Sequence, residues 1–439
     1  MKICLINPQY STTNDPTLSQ IFERISKVSG YVESIKNAIS SGLLIIAALT
    51  PEEHEIIFVD DNHEEIDYTQ KYDIVGISTT TQQATRAYEI ADEFQKRGIS
   101  VVIGGIHATV MPQEVKKHCD VVFIGEAEET WPQFLKEFES NQHKEFYHCK
   151  HPVDLSQSTM PRYDLLNKDY YKVIWVQTSR GCPHDCEFCA ATKIYGFKYR
   201  TKSVAQVVSE LQYIKRLWND IKIDFADDNL FSNRKYARRL LSEIKKMNIK
   251  WYAQTDISVA RDEQFVEEIK AAGCLTLLVG FESVSPQSLE TINKNQWKLK
   301  QLPRYPESIA LIQSKGIGVI GAFIIGFDTD TKNTFNDLAN FIIDNNIFVS
   351  QIAILTPFPG TKLYEKYKAE GRLMGKKWRD FTGLQVTFSP KNMSIEELQH
   401  AHYELYSKIY NEEVRLKVMD HFKKICMNNL LKKKQAEHK

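Results

Sequence analysis

Three cysteines lie within eight residues of one another, and this cluster constrains the chain more than any other feature. Three and then two residues separate them, and they are Cys182, Cys186 and Cys189. They follow an apolar segment at 173–178 that is typical of a strand, and Gly181 and Pro183 favour a loop over a helix. Thiolates are soft ligands that suit zinc or iron-sulfur clusters. The segment therefore predicts a metal site on a loop that follows a strand.

The grouped cysteines lack a fourth partner. A closed zinc site needs four protein ligands, and iron-sulfur clusters are ordinarily held by four cysteines. The other five are widely scattered: Cys4, Cys119, Cys149, Cys274 and Cys426. Scattered thiols in a reducing compartment are typically buried or incidental. Either a distant fourth ligand closes a zinc site, or one metal position stays open to a substrate or cofactor.

The composition is that of a balanced globular protein. The chain has 439 residues, which favours two or three domains. Its 56 basic and 56 acidic residues create no global field that would recruit nucleic acid or an anionic membrane. Pro8 interrupts the N-terminus before a signal-peptide core can develop, and the apolar run 42–49 is too short to span a bilayer. We therefore expect a cytoplasmic protein without a transmembrane segment or a nucleic-acid partner.

Residues 1–138 alternate short apolar runs with amphipathic segments, which predicts a doubly wound parallel α/β sheet of the Rossmann-like kind. The predicted strands are 2–7, 55–59, 73–78, 100–103 and 120–124. Ligands of such sheets bind beyond the carboxyl ends of the strands. Small or polar residues stand at three of these ends: Ser78, Thr79, Gly104, Gly105, Gly125 and Glu126. Residues 139–169 have no clean periodicity and are predicted to form a surface linker.

Residues 170–357 contain six strand patterns, each followed by a helical pattern, which predicts a partial (β/α)6 barrel. The predicted strands are 173–178, 221–225, 251–255, 275–280, 318–325 and 350–355. The cysteine loop follows the first strand, at the end of the barrel where that architecture places chemistry. Residues 358–439 are predicted to be mostly helical, with one long helix over 395–418.

The cysteine spacing resembles the signature of the radical S-adenosylmethionine (SAM) enzymes, Cys-x3-Cys-x-aromatic-Cys, with Phe188 in the aromatic position. The resemblance implies a 4Fe-4S cluster on the three cysteines and SAM on its open iron. One electron, from a donor such as flavodoxin or ferredoxin, would then cleave SAM to give a 5'-deoxyadenosyl radical.

Other positions extend this resemblance along the barrel. The residues that it implies as SAM contacts are Phe188, Asp227, Glu282, Ser283 and Gly326. Asp227 follows the second strand, where a Gly-Gly-Glu motif is common in the family but absent here. Glu282 and Ser283 belong to a Gly-x-Glu-Ser element after the fourth strand, and Gly326 ends the fifth. Turn formation and helix capping, for example by Ser285, are the alternative roles of these residues.

The first half of the chain resembles the cobalamin-binding domain that precedes the barrel in one branch of the family. The similar phrases lie at 73–78, 102–109 and 123–128. The resemblance implies these cobalamin contacts: Ser78, Thr79, Gly104, Gly105, His107, Gly125 and Glu126. For His107, packing within a turn is the alternative. His63 stands in an incomplete Asp-x-His-x-x-Gly pattern that ends in Ile66, and we expect it to be an exposed loop residue.

The resemblance implies three candidate functions. The leading one is a methyltransferase that acts on an unactivated carbon of a small-molecule substrate through the SAM-derived radical and methylcobalamin. The second is oxidative cyclisation or rearrangement without methyl transfer, and the third is a cobalamin- or cluster-binding sensor without turnover. Trp378 and Phe381 are expected to line a substrate channel or to belong to the core. No residue is assigned a catalytic role of its own.

Overall fold

The structure is a computed structural model that describes residues 1–10, 41–292 and 294–437, with isolated positions between 16 and 39. The first half of the chain forms a sheet whose strands are all parallel. They are β1 (Lys2–Asn7), β2 (Glu55–Asp60), β3 (Ile74–Ser78), β4 (Ser100–Gly104), β5 (Val121–Ile124) and β6 (Phe146–His148), in the order β2-β1-β3-β4-β5-β6. The helices between them are α1 (Ser41–Leu49), α2 (Ala84–Gln95), α3 (Ile106–Val110), α4 (Pro112–Val115) and α5 (Thr130–Glu139).

Helices cover both faces of this sheet, because alternate strand residues point to opposite sides. On one face α2 buries Ala87, Ile90 and Phe94 against the sheet. On the other face α1 and α5 pack, and α5 contributes Trp131 and Phe134. The strand order reverses between β1 and β3, which creates the crevice where doubly wound sheets bind ligands. The predicted doubly wound fold is confirmed.

The segment predicted to be a surface linker contains regular and buried structure. β6 pairs with β5 in parallel, and the side chain of Tyr147 is buried in the first domain. Tyr163 lies in a short 3-10 helix and donates a hydrogen bond to the buried carboxylate of Glu210. A strand of three residues is too short to show a period of two, so sequence periodicity could not identify it.

The second half of the chain forms another parallel sheet. Its strands are β7 (Val173–Val176), β10 (Lys222–Phe225), β11 (Lys250–Thr255), β12 (Cys274–Glu282), β13 (Gly318–Ile325) and β14 (Val349–Ile354), in that spatial order. A small antiparallel ribbon of β8 (Ser179–Arg180) and β9 (Arg200–Thr201) follows β7. Because β7 and β14 stand at opposite edges of the described sheet, the barrel is open.

Helices on the outside of the open barrel bury the second face of its strands. They are α6 (Ala191–Tyr195), α7 (Val204–Leu217), α8 (Arg234–Met247), α9 (Glu263–Ala271), α10 (Pro286–Ile292), α11 (Trp297–Gln301), α12 (Tyr305–Ser314) and α13 (Lys332–Asp344). Their starts carry the expected capping residues: Ser203 accepts the Gln206 amide at 3.2 Å, and Asp262 accepts the Phe265 amide at 3.0 Å. The predicted partial barrel is confirmed.

The C-terminal part contains α14 (Lys362–Ala369), α15 (Ile395–Ile409) and α16 (Glu412–Glu437). The prediction of one continuous helix over 395–418 is wrong, because the helix is interrupted at Tyr410 and Asn411. The Asn411 side chain accepts the Val414 amide at 2.9 Å and so caps a new helix. In the described part of the chain, no helix combines the length and apolar composition that a bilayer crossing requires.

Candidate active site

The cysteine loop is fixed at several points to the carboxyl ends of the barrel strands. Gly181 has a φ of 91°, and a Cβ atom there would lie 2.5 Å from the carbonyl oxygen of Lys198. Only glycine therefore fits where these two segments of the backbone cross. The Glu187 amide donates to the carbonyl of Ile292 at 3.1 Å, and the Leu363 amide donates to the carbonyl of Glu187 at 3.0 Å. The loop is therefore held by the barrel and by α14.

All three grouped thiols are partly buried. The pKa of Cys182 and of Cys189 is raised to about 11, mainly by burial, with contributions from Asp228 and from a second thiol of the loop in each case. The thiols are therefore near enough to one another to interact electrostatically. Coordination to a metal would deprotonate them.

The donor set fits an iron-sulfur cluster. Among the residues that the structure describes, no three or more His, Cys, Asp or Glu side chains are arranged to hold a single metal ion. A closed zinc site is therefore not formed by the described residues. Three partly buried soft thiols on one anchored loop are the ligands that such a cluster needs, and they leave one iron without a cysteine.

Asp227 and Asp228 are neighbours with different surroundings. Asp227 is buried, and its carboxylate accepts hydrogen bonds from the amide and hydroxyl of Thr178 at 3.2 and 2.9 Å and from the hydroxyl of Ser179. These bonds fix the start of the cysteine loop. Burial raises the pKa of Asp227 to about 6, although the hydrogen bonds oppose that shift. Asp227, predicted to contact SAM, is therefore directed into the protein.

Asp228 is the member of this pair that reaches solvent, and the sequence analysis did not select it. Its surroundings exclude enough water to raise its pKa to about 6. It also raises the pKa of the thiols of Cys182 and Cys189, which places it beside the cluster ligands. The carboxylate of Asp228 is therefore solvent-accessible and lies near the two thiols.

Glu282 lies at a strained position at the end of β12. It has a φ of 66°, and the pairing of β12 with β13 shifts register between Gly280 and Glu282. Such bulges redirect a side chain next to functional sites. The carboxylate of Glu282 is 3.1 Å from the buried ammonium of Lys298, which also donates to the carbonyl of Gly280. Burial opposes the charge of Lys298, but Glu282 together with Tyr305 and Cys186 outweighs this effect and raises the pKa of Lys298.

Ser283 is buried and serves the turn that follows β12. Its hydroxyl accepts the amide of Ser285 at 3.1 Å, and the hydroxyl of Ser285 accepts the amide of Ser288 at 3.3 Å. Ser285 thus caps α10, as the alternative role predicted. Glu282 therefore lies near the cysteines, whereas the hydroxyl of Ser283 is hydrogen-bonded within the turn.

A cleft lies beside the cysteine loop and the end of β13. Its wall includes Phe188, Ile292, Phe327, Leu355 and Tyr367. Gly326 precedes this wall with a φ of 95°, and its amide donates to the carboxylate of Asp330 at 2.8 Å. The cleft offers apolar surface, and Phe188 forms part of its wall.

A further group of residues, which the sequence analysis missed, fixes the cysteine loop to the end of β11. His184, within the loop, has its Nε2 atom 3.6 Å from the carboxylate of Asp256 and stacks on Trp297 with ring centres 5.6 Å apart. Asn229 donates to the same carboxylate at 2.7 Å. Burial opposes ionisation of Asp256, but hydrogen bonds from His184, Ser258 and Asn229 lower its pKa. The position of Asp256 directly after β11 is the sequence signal that could have identified it.

The strand ends of the first sheet form a closely spaced backbone platform. Gly105 has a φ of 97°, and a Cβ atom there would lie 2.8 Å from the backbone of Thr79 and 3.0 Å from the hydroxyl of Ser78. The hydroxyl of Thr109 donates to the carbonyl of Gly105 at 2.8 Å and accepts the amide of Gly125 at 3.0 Å. The structure thus brings together the predicted residues Ser78, Thr79, Gly104, Gly105 and Gly125.

His107 does not face this platform with a free nitrogen. Its side chain is fully buried, with Nε2 at 3.0 Å from the hydroxyl of Tyr88 and Nδ1 at 3.3 Å from the hydroxyl of Thr81. Burial lowers its pKa to about 4. The packing role, which the sequence left open beside a corrin contact, is the one that the structure favours.

His63 is not an exposed loop residue, so that expectation is wrong. Its ring is stacked on Tyr170, with centres 4.8 Å apart, and it is partly buried near Tyr171. Tyr171 in turn donates to the buried carboxylate of Asp60 at 2.7 Å. His63 therefore belongs to the packing between β2 and the segment before β7.

Glu126 joins the two sheets. Its carboxylate accepts hydrogen bonds from Arg180 at 2.5 Å and from Arg200 at 3.0 Å, and Arg180 is also 2.7 Å from the carboxylate of Glu128. Glu126 also accepts the amide of Val153 at 2.9 Å. Burial opposes ionisation of Glu126, but the ion pair with Arg180 lowers its pKa. The carboxyl end of β5 therefore lies against the start of the cysteine loop.

Trp378 and Phe381 pack rather than line an open channel. The indole of Trp378 donates to Glu114, and its ring centre is 5.0 Å from that of His107. Phe381 is buried against Trp378, with ring centres 5.0 Å apart. The C-terminal part thus covers the first domain at α3 and α4.

Fold and site together define a class of protein: a barrel enzyme whose three-cysteine loop faces the ligand-binding edge of a doubly wound domain. Family models match in the same order: a B12 binding domain at 34–135, the radical SAM superfamily at 176–342 and a domain of unknown function at 361–439. The chain belongs to the cobalamin-binding radical SAM enzyme family.

Relatives of this family resemble the chain over most of its length. The bacteriochlorophyllide d C-8(2)-methyltransferase of Chlorobaculum tepidum is 30% identical over 391 residues, which are 85% of this chain and 86% of that protein. The hopanoid C-2 methylase of Rhodopseudomonas palustris is 27% identical over 352 residues, covering 76% and 65% of the two chains. The structure of TsrM, a radical SAM methyltransferase from Kitasatospora setae, matches with a TM-score of 0.68 at 15% identity, covering 94% and 89%.

These similarities confirm several predictions. The protein is an enzyme of the radical SAM C-methyltransferase group, and the cofactors of that group are a 4Fe-4S cluster, SAM and cobalamin. The sensor without turnover is thereby disfavoured. The roles of individual residues and the identity of the substrate stay predictions.

Proposed function

We propose that the protein transfers a methyl group to a carbon of an apolar, ring-bearing small molecule held between its two sheets. One observation carries this proposal: Arg180, two residues before Cys182, is paired with Glu126 and Glu128, which follow β5. Both predicted cofactor sites therefore adjoin one space. When bound, the cluster and SAM supply one-electron radical chemistry, and cobalamin carries the methyl group.

The residues of the barrel have separate tasks in this proposal. Cys182, Cys186 and Cys189 hold the cluster, and Asp227 orients their loop through Thr178 and Ser179. Asp228 and Glu282 offer carboxylates to the cationic amino group of SAM. The flat apolar wall that includes Phe188 and Phe327 suits the adenine ring. Gly326, whose φ of 95° favours glycine, lets the backbone pass close to that wall.

The residues of the first sheet provide backbone surface for the cobalamin. Gly105 and Gly125 have positive φ values, and glycine at these positions lets the loops after β4 and β5 pack closely on Ser78, Thr79 and Cys149, which forms the compact backbone surface. Ser78, Thr79 and Gly104 surround the same platform. His107 packs within this domain through hydrogen bonds with Tyr88 and Thr81, and Glu126 connects the platform to the cysteine loop.

The relatives guide the choice of substrate. Their names include bacteriochlorophyllide d and a hopanoid. Bacteriochlorophyllide d is therefore the first substrate to assay. We further propose that a small electron-transfer protein such as flavodoxin or ferredoxin supplies the electron.

The test uses the enzyme reconstituted with iron, sulfide, cobalamin and SAM under a strong chemical reductant. We expect 5'-deoxyadenosine and a product heavier than the substrate by one methyl group. Cys186→Ala should remove the cluster absorbance and 5'-deoxyadenosine while cobalamin binding is kept. Cys426→Ala changes an exposed thiol on α16 and should behave as the unmodified enzyme.

Each competing function predicts a different product. An oxidised or cyclised product without a gain of one methyl group would replace methyl transfer by the cyclase alternative. Full turnover in protein prepared without cobalamin would also contradict the proposal. If 5'-deoxyadenosine formation survived Cys186→Ala, the assignment of the cluster ligands would be wrong.

A further inference from the structure

The last helix, α16, presents several large apolar side chains to solvent. Seven large apolar side chains are exposed among the described residues, and five of them belong to this helix. They are Leu416, Met419, Met427, Leu430 and Leu431, with exposed fractions between 50% and 61%. At 3.6 residues per turn these five fall within about 120° of the helix circumference. They lie on one side of the helix, which we call the outer stripe, and Lys423 lies between Met419 and Met427 on that side.

The opposite side of α16 is already used for packing. His421 is hydrogen-bonded to the side chain of Gln313 at 3.0 Å, and Asn429 donates to the carbonyl of Ser314 at 3.2 Å. Phe422 packs on Phe348, with ring centres 5.4 Å apart. These contacts hold the helix on the barrel wall. The outer stripe is therefore a second apolar face that points away from the protein.

The charges around the outer stripe have one sign over its second half. Residues 421–434 contain five lysines and no acidic residue. Lys423 and Lys434 are exposed and lie at the angular position of the stripe itself, and Lys424 pairs with Asp420 at its edge. The overall charge of the chain is zero, so this is a local concentration of positive charge.

We propose that the outer stripe of α16 docks on an anionic lipid surface, with Met427, Leu430 and Leu431 entering the headgroup boundary. An exposed apolar helix face with lysines within it and at its edge is suited to the plane of an anionic membrane interface, because lysine side chains can extend from an apolar face to the headgroups. Two copies of the chain meeting through residues 421–434 would bring their lysines together, which disfavours a second copy as the occupant. The helix packs where α12 ends and near Phe348 before β14, so docking leaves the cysteine loop free.

The test measures binding of the full-length protein to vesicles by flotation. Vesicles of phosphatidylcholine alone are compared with vesicles that also contain phosphatidylglycerol. We expect binding only to the anionic vesicles, with weakening as salt rises. Met427→Gln with Leu430→Gln and Leu431→Gln should weaken binding at least tenfold. Lys423→Gln with Lys434→Gln should weaken it roughly 25-fold, at about fivefold for each lysine.

Met160→Gln is the matched control, because Met160 is exposed and apolar but lies far along the chain from α16. It should bind vesicles as the unmodified protein does. All substituted positions are exposed, so cobalamin binding should be unchanged and will report an intact fold. Absence of vesicle binding, equal binding to both vesicle types, or unchanged binding by the variants would each overturn the proposal. So would conversion of a dimer to a monomer by the triple variant without any vesicle binding.

Discussion

The carboxylate of Glu126 lies 3.0 Å from the guanidinium of Arg200 and also accepts a hydrogen bond from Arg180, so one side chain of the first sheet engages two cations of the barrel. All three side chains are at most 9% exposed. Water therefore screens these charges weakly, and the ion pairs act as a fixed joint between the two domains.

Glu126→Gln should destabilise this joint by about 3 kcal/mol, because it leaves two buried guanidinium groups without their main partner. Urea unfolding measures this change. Arg162→Gln, which breaks an exposed pair with Asp164, should cost less than about 1 kcal/mol. The folded state lowers the pKa of Glu126, so its stabilisation is complete above the unfolded pKa and is lost as pH falls through the folded value. An equal loss in both variants would contradict a special role for Glu126.

Asp228 should make SAM binding depend on pH. Its pKa is raised to about 6 by burial, so the carboxylate becomes neutral as pH falls below that value. If it holds the amino group of SAM, affinity should fall up to about tenfold per pH unit below pH 6. Calorimetry on the cluster-loaded enzyme measures this. Asp228→Asn should bind SAM weakly with little pH dependence between 5 and 7, and an unchanged pH profile in this variant would exclude the role.

His107 should make the protein sensitive to acid. Burial lowers its pKa to about 4, below the usual value of 6.5, so the unfolded state binds the proton more readily. The stabilisation is complete above pH 6.5 and is lost as pH falls towards 4, by about 3 kcal/mol in total. His107→Gln should flatten the stability profile in this window, as urea midpoints at several pH values would reveal. A profile of unchanged slope would mean that other groups cause the acid sensitivity.

Trp378→Ala should loosen the C-terminal part from the first domain. It removes the hydrogen bond to Glu114 and the ring contact with His107, at a cost of about 2 kcal/mol for a partly buried side chain. Limited proteolysis should then cleave the segment 370–394 faster. Trp378→Phe keeps most of the packing and should cost about 1 kcal/mol. Equal cleavage rates in the two variants would show that packing is not what holds the segment.

Much of the architecture could be predicted from the sequence, because buried parallel strands and amphipathic helices leave clear periodic patterns. The cysteine loop was identifiable from spacing alone. The short strand β6 was not, since three residues carry no period. Nor could the pattern distinguish Asp227 from Asp228, because Asp227 is held inward by hydrogen bonds to Thr178 and Ser179, which lie on a distant segment of the chain.

Contacts between distant segments explain the other differences. His107 follows a strand end and so resembled a ligand contact, but Trp378, which lies 271 positions later, helps to bury it. The carboxylate of Glu126 is engaged by arginines from beyond residue 179. The role of Asp256 depends on its contact with His184, which no local sequence pattern shows. Local sequence patterns predict the helices and strands, whereas the contacts of these side chains depend on the tertiary fold.

The joint at Glu126 has a consequence for how the enzyme acquires its cofactors. Any ligand of the first sheet that shifts Glu126 must also shift Arg180, and with it the loop that offers the cysteines. Such coupling is reciprocal: the factor by which cobalamin changes the affinity for the cluster equals the factor by which the cluster changes the affinity for cobalamin. Maturation of the two sites is therefore one linked equilibrium, and the affinity measured for one site depends on whether the other is filled.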